Sequence, residues 1–204
     1  MLNTLVLSIL AVTSPAQFDV TYKGSKVGTA SVTQKLTEGG SKTVMMSVEI
    51  KIQGKITKVR SENSYDATGL PMRKFVQTTG PGPRDRKTTI VTFSTEGAHV
   101  VTEFGGSRKQ ETVTLLETAP RANPSEFWFV KVQPKVGTQV RTYLFDIDSN
   151  SWQVNTITYK GKVTHKKMAG HLIESERYTA VVDDAGLPIA VEFGAMMLER
   201  RKSD

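Results

Sequence analysis

The chain carries three histidines, His99, His165 and His171, and no cysteine. None of the histidines has the i, i+4 pairing of a metalloprotease helix, and without thiolates no zinc set of the Cys/His type can form. Disulfides and cysteine nucleophiles are excluded on the same ground. His165 and His171 flank Lys166-Lys167, which places positive charge beside any metal they would share. They read as two solvent-exposed hairpin histidines. There is no Gly-x-Ser-x-Gly elbow and no Ser-x-x-Lys set, so serine hydrolysis has no support.

Carboxylates give two further constellations. Asp146, Asp148 and Asn150 have the alternating oxygen spacing that begins a calcium loop, but Ser151 stands where the glycine is required and Ile157 where the bidentate Glu belongs. A strand end followed by an Asx turn accounts better for them. Glu174 and Glu176 would share one strand face and, with Arg177, form a solvated stripe of ion pairs. The segment Gly80-Pro81-Gly82-Pro83-Arg84-Asp85-Arg86-Lys87 joins rigid turns to a basic tip but lacks the Lys-Ser/Thr ending and following helix of a phosphate loop. It reads as an exposed connection between strands, suited to touching anionic lipid headgroups or another envelope protein. No catalytic residue, metal ligand or cofactor emerges from this survey.

The elements that would position such groups are strands. Period two dominates: Val44, Met46, Val48, Ile50 and Ile52 alternate with Met45, Ser47, Glu49, Lys51 and Gln53. Comparable runs occur over 18–22, 27–36, 56–65, 72–78, 88–93, 99–104, 112–117, 138–147, 152–159, 172–182 and 189–198, separated by Gly- and Asp-rich turns. The pattern predicts an all-β, mainly antiparallel chain: a strongly curved sheet or incomplete β-barrel. One short helical element near 123–132 interrupts it. There Asn123 can cap, Pro124 suits the first helical position and Glu126 completes a capping box, presenting Phe127, Trp128 and Phe129 to the sheet.

Two turns echo each other, Tyr65-Asp66-Ala67-Thr68-Gly69-Leu70-Pro71 and Val182-Asp183-Asp184-Ala185-Gly186-Leu187-Pro188. Gly supplies positive φ and Pro opens the next strand. Tyr22-Lys23-Gly24 and Tyr159-Lys160-Gly161 form a weaker second echo. Recurring hairpin design explains both, since no fixed period supports a repeat array.

The start of the chain reads as an address. An uncharged apolar run, Leu5 to Val12, ends in Ser14-Pro15-Ala16, the form of an export signal with small residues at its cleavage site. The run is too short to span a bilayer as a helix. The expected division is a signal peptide over 1–16 and one β domain over 17–204. Its location would be periplasmic or secreted, with no transmembrane segment in the mature chain. The sequence holds 27 Lys and Arg against 20 Asp and Glu, a formal charge of +7. These bases form no dense tract interleaved with aromatics, which argues against nucleic acid; they read as a generally basic soluble surface, with weak attraction to anionic envelope surfaces or acidic ligands as the functional alternative.

Thr21-Tyr22-Lys23-Gly24 with Val27-Gly28, Asn123-Pro124 before the aromatic patch, Val136-Gly137 before a long strand, and Asp183-Asp184-Ala185-Gly186-Leu187-Pro188 together resemble a family of exported bacterial proteins of unknown function. That family is similar to the lipoprotein-localisation carriers. The resemblance implies an incomplete barrel wrapped around a short helix and brings no catalytic set. The expected function is therefore that of a non-catalytic envelope protein holding an apolar or amphipathic, lipid-like ligand on the concave face of its sheet. Met45, Met46, Phe127, Trp128 and Phe129 would form wall and lid. A structural or protein-interaction module with a filled core is the alternative, and a hydrolase or metal-dependent enzyme comes third.

Overall fold

The computed structural model describes residues 11–12, 15–82, 84–115 and 128–202. Within them the chain forms one antiparallel sheet and a single five-residue helix. In chain order the strands are β1 (Ala11–Val12), β2 (Ala16–Tyr22), β3 (Ser25–Leu36), β4 (Lys42–Ile52), β5 (Lys55–Tyr65), β6 (Pro71–Thr79), β7 (Arg86–Ser94), β8 (Gly97–Phe104) and β9 (Ser107–Thr114). After the helix α1 (Trp128–Val132) come β10 (Gln139–Asp146), β11 (Ser151–His165), β12 (Met168–Glu174), β13 (Thr179–Val182), β14 (Pro188–Phe193) and β15 (Met196–Arg200).

The lateral order is β10-β11-β12-β13-β14-β15-β2-β3-β4-β5-β6-β7-β8-β9. Neighbours along the chain are neighbours in the sheet, except that β15 pairs with β2 and so joins the two halves of the meander, with Leu198 opposite Val20. β1 extends the line of β2, pairing Ala11 with Leu36 at the far end of β3. The alternation of β4 is realised over Val44, Met46, Val48 and Ile50, which pack against a core of Phe18, Val20, Ala30, Val32 and Leu198, while Ile52, expected on the same face, is 38% exposed at the strand's end. Gly28 pairs with Ile50 on β4 and leaves no room for a side chain. A Cβ there would lie 1.9 Å from the carbonyl oxygen of Glu49.

The sheet coils far enough to bring its two ends together. Phe145 and Trp152, from β10 and β11, pack with Phe93, Val91, Ala98 and Val100 from β7 and β8. The rings of Phe93, Phe145 and Trp152 lie 5.3–6.0 Å apart. Lys74 Nζ donates to the Phe145 carbonyl at 3.5 Å, and the Asn150 side-chain amide donates to Glu111 on β9. No backbone ladder joins β9 to β10 among the described residues. The sheet is open in its hydrogen bonding and closed by side chains.

Several sequence expectations are corrected. Residues 172–182 are two strands, parted by a turn in which Ser175 N–H donates to the Tyr178 carbonyl; 189–198 are likewise split at Gly194-Ala195. β9 runs over Ser107–Thr114 where the expected run began at Thr112, so the charged segment Arg108-Lys109-Gln110 is strand on a solvent-facing edge. β11 continues through Gly161 to His165 by way of a bulge between Tyr159 and Gly161. The Tyr-Lys-Gly echo therefore has no structural counterpart: Lys23-Gly24 is a hairpin turn, and Lys160-Gly161 lies inside a strand. The helix is described only from Trp128; Asn123, Pro124, Glu126 and Phe127 lie outside the described residues. None of the helices is long and apolar enough to cross a membrane among the described residues.

Candidate functional site

Three hairpin turns at one end of the sheet share a single construction. In 37–41, 66–70 and 183–187 the first residue's N–H donates to the fifth residue's carbonyl at 2.9–3.0 Å, and the fourth residue's N–H donates back to the first residue's carbonyl at 2.9–3.0 Å. That fourth residue is Gly40, Gly69 or Gly186, with φ of 82°, 89° and 81°, a conformation that only glycine adopts without strain. The first residue's side-chain oxygen, from Thr37, Asp66 or Asp183, accepts from the fifth residue's N–H at 2.8–3.1 Å. The third copy, Thr-Glu-Gly-Gly-Ser, went unrecognised in the sequence because a hydroxyl replaces the carboxylate and glycine alone is shared. At Asp66, the Thr68 hydroxyl and then the backbone N–H groups of Leu70, Thr68 and Gly69 hold the carboxyl below the usual carboxylate range, against a smaller upward push from burial.

Antiparallel geometry puts these turns on the same end, since alternate hairpins of a meander face the same way. They converge with α1 on a cleft of about 360 Å³. Its walls include Leu36, Tyr65, Trp128 and Val130, and its polar groups include Gln34, Lys42, Asp66 and Asp184. Lys42 Nζ stands 5.7 Å from the centre of the Tyr65 ring. The indole N–H of Trp128 is shielded from solvent and donates to no group among the described residues.

Beneath Trp128 lies Phe129, fully buried, its ring stacked at 6.2 Å on Tyr159 and tilted at 5.6 Å to His171. His171 is 2% exposed. Its Nδ1 lies 3.1 Å from the Tyr159 hydroxyl and its Nε2 2.8 Å from Asp184 Oδ1. This overturns the expectation of a solvent-exposed histidine. His171 shares strand parity with Ile173, on the inward face, and Phe129 covers it. Asp184 reaches it from a side chain that is 87% exposed, so one polar chain connects the buried phenol to the rim of the cleft. His165 is half-buried and meets Glu199 Oε1 at 2.8 Å, with Lys166 Nζ on the other oxygen at 2.5 Å. Burial pushes the Glu199 carboxyl up, but the hydrogen bonds and charges of Lys166 and His165 outweigh it and leave the pKa lowered.

A second cleft, of about 400 Å³, lies between β5–β6 and β10 and meets the first at Tyr65 and Gly69. Arg73, Lys74 and Arg177 face Asp146 and Asp148 across it. Asp146 Oδ1 accepts from the N–H groups of Asp148 and Ser149 at 2.9 and 3.2 Å, and Oδ2 takes Arg177 at 3.4 Å. The segment is the Asx turn its sequence indicates. Burial raises the Asp146 pKa, and the backbone N–H groups with Arg177 more than offset that. Among the described residues no three His, Asp or Glu side chains gather to hold a metal. The expected Glu174/Glu176/Arg177 stripe is not formed: Glu174 pairs with Lys160 at 2.6 Å, Glu176 lies beyond the end of β12, and Arg177 turns to Asp146.

Of the residues nominated from sequence, Trp128 lines the first cleft and Phe129 anchors it from below. Met46 packs into the core of β2, β3 and β15, and Met45 occupies the opposite face of β4; neither lines either cleft. Phe127 lies outside the described residues.

No family model matches this chain, and no curated protein is similar to it. Among solved structures it is similar to a β-barrel-like protein of Domain of Unknown Function DUF1849 from Brucella abortus, at 10% identity and a TM-score of 0.62, over 96% of this chain and 98% of that one. At that identity the likeness shows the fold: a β-barrel-like architecture carried by a protein of unknown function.

Proposed function

We propose that the protein is a non-catalytic binding module whose ligand lies in the cleft between the three turns and α1. One observation carries the reading. Trp128 presents its apolar ring to a cleft of about 360 Å³ while its indole N–H is shielded from water and matched by no acceptor among the described residues. A buried donor left unpaired costs roughly 1–3 kcal/mol, so a ligand that brings an acceptor oxygen there recovers that cost on binding. The volume falls within the range of small-molecule sites, and the lining mixes apolar area with a few polar groups as such sites do. An amphipathic molecule with a short apolar segment and an ester, carboxylate or phosphate oxygen has the required chemistry.

This keeps the lipid-like ligand of the sequence reading but moves it from the concave wall around Met46 to the rim. The core around Phe18 and Val20 is filled, and the polar chain from Tyr159 through His171 to Asp184 places hydrogen-bonding groups under the cleft's floor. The carrier relation belongs to this proposal, as does an envelope location.

The test is native mass spectrometry of the full chain purified from the exported fraction, followed by titration of a fluorescent fatty acid and a lysophospholipid into wild type and Trp128→Ala. A co-purifying lipid-sized adduct, with saturable probe uptake weakened at least tenfold in the variant, is the expected result. The processed mass alone, with no uptake of either probe, rejects the reading.

A further inference from the structure

We infer that the opposite end of the sheet is a peripheral docking edge for anionic phospholipid bilayers, independent of the cleft. The hairpins β4–β5, β6–β7 and β8–β9 are consecutive, and strand direction puts their tips on the end away from the three matched turns. Strands spaced about 4.8 Å apart put successive tips roughly 10 Å from each other, so the three span about 20 Å of one edge. Their chemistry differs from that of the cleft end. At the β4–β5 tip Ile52 and Ile56 are each 38% exposed on either side of Lys55; at the β8–β9 tip Phe104 is 55% exposed.

Between these apolar points stand arginines. Arg84, Arg86 and Arg108 share with Phe104 the lining of a surface hollow of about 550 Å³. Glu103 is the carboxylate in that lining, 4.0 Å from Arg108. Asp85, exposed on the same loop, is a second carboxylate of this edge; its Oδ2 accepts from the Gly82 N–H at 2.9 Å. Arg84, Arg86 and Lys55 form no ion pair among the described residues. Arg86 donates to the Gln77 side-chain oxygen, at 2.8 Å from Nη2, in the amide orientation that satisfies both groups, which leaves Arg84 and Lys55 as exposed cations beside the exposed ring of Phe104 and the exposed Ile52 and Ile56.

Both features are matched by one partner. An anionic membrane surface attracts each nearby Lys or Arg, while Phe104, Ile52 and Ile56 reach the headgroup boundary as shallow apolar anchors. A discrete phosphate ligand would use the arginines and leave the apolar tips unexplained. The edge is a row of separated tips, so attachment is additive over contacts and reversible by salt, since screening shortens to about 3 Å at 1 M ionic strength.

The experiment is vesicle co-sedimentation of the full chain with phosphatidylcholine vesicles, and with vesicles containing an equal part of phosphatidylglycerol, at low and at high salt. Wild type is expected to pellet with the anionic vesicles at low salt and to be released at high salt. Each cation removed weakens binding about fivefold, so Arg84→Glu with Arg86→Glu lowers it by more than tenfold while far-ultraviolet circular dichroism stays unchanged. Phe104→Trp, read by difference against wild type, gains a fluorescence signal quenched by brominated lipid. Equal pelleting with neutral vesicles overturns the inference, as does no pelleting with anionic ones, an unaffected charge-reversal variant, or Trp emission that brominated lipid does not quench. Retention on a sulfated polysaccharide without vesicle binding also overturns it and assigns the edge to a polyanionic polymer.

Discussion

Replacing Phe129 by alanine tests how the cleft is held together. A five-residue helix is far too short to be stable alone, so α1 keeps its place through what it buries. Phe129 is fully buried and touches Tyr159 and His171 through its ring, with Trp128 edge-on at 6.2 Å. Deleting a buried phenyl ring typically costs about 3–5 kcal/mol, combining lost transfer energy with a cavity. With a urea slope near 2 kcal/mol per molar, that is a fall in the midpoint of about 2 M. Relaxation here is outward: the helix lifts and Trp128 with it. In a Trp152→Phe background, where Trp128 is the sole reporter, its emission therefore shifts red below the unfolding transition. Met45→Ala, on the opposite face of β4, is the matched control and costs less than about 1 kcal/mol. A midpoint shift below about 0.5 M for Phe129→Ala, with unchanged Trp128 emission, refutes the argument that this ring pins the helix.

Three further outcomes follow from the same geometry. Glu199 has a pKa lowered from 4.5 in the fold, so its interactions add stability above the unfolded value that is lost as pH falls through the folded one; in Glu199→Gln, stability followed by thermal melting between pH 6 and 3 declines less steeply. Asp183→Ala removes the acceptor for Ala185 and Leu187 N–H together with the partner of Arg200 at 2.8 Å, whereas Asp66→Ala removes the acceptor for the Thr68 and Leu70 N–H groups. Chemical denaturation should show the Asp183 change costing about 2 kcal/mol and the Asp66 change about 1. Gly28→Ala drives a methyl into the Glu49 carbonyl, a backbone group that yields only by parting β3 from β4; a soluble variant with wild-type melting temperature would contradict the close approach.

The strands were legible where one face is wet and the other dry. β4 shows this best, because Val44, Met46, Val48 and Ile50 alternate with groups that can face water. The Asp66 and Asp183 turns were legible because the same side-chain acceptor, glycine and Leu-Pro exit recur in the letters. One boundary was missed because its turn residues, Glu176-Arg177, are not those that usually mark turns, and another was missed at Gly194-Ala195 although a glycine stands there. The site itself was half visible. Trp128 and Phe129 stood out by type, but the pairing of His171 with Asp184 spans a hairpin whose register no local pattern reveals. One signal was available: His171 keeps the parity of Ile173, and a histidine on a dry face must find partners.

The seam between β9 and β10 sets how this molecule can change size. A continuous ladder would make the wall a hoop, whose circumference changes only by breaking several backbone hydrogen bonds together. Among the described residues the join is made by side chains: the rings of Phe93, Phe145 and Trp152 with the aliphatic groups packed on them, the Lys74 ammonium and the Asn150 amide. It slides or parts at the cost of a few side-chain contacts, while every ladder on either side stays intact. Along that line the girth of the wall is set by side-chain packing, and Phe93 and Phe145, two of the rings, also line the cleft beside β10.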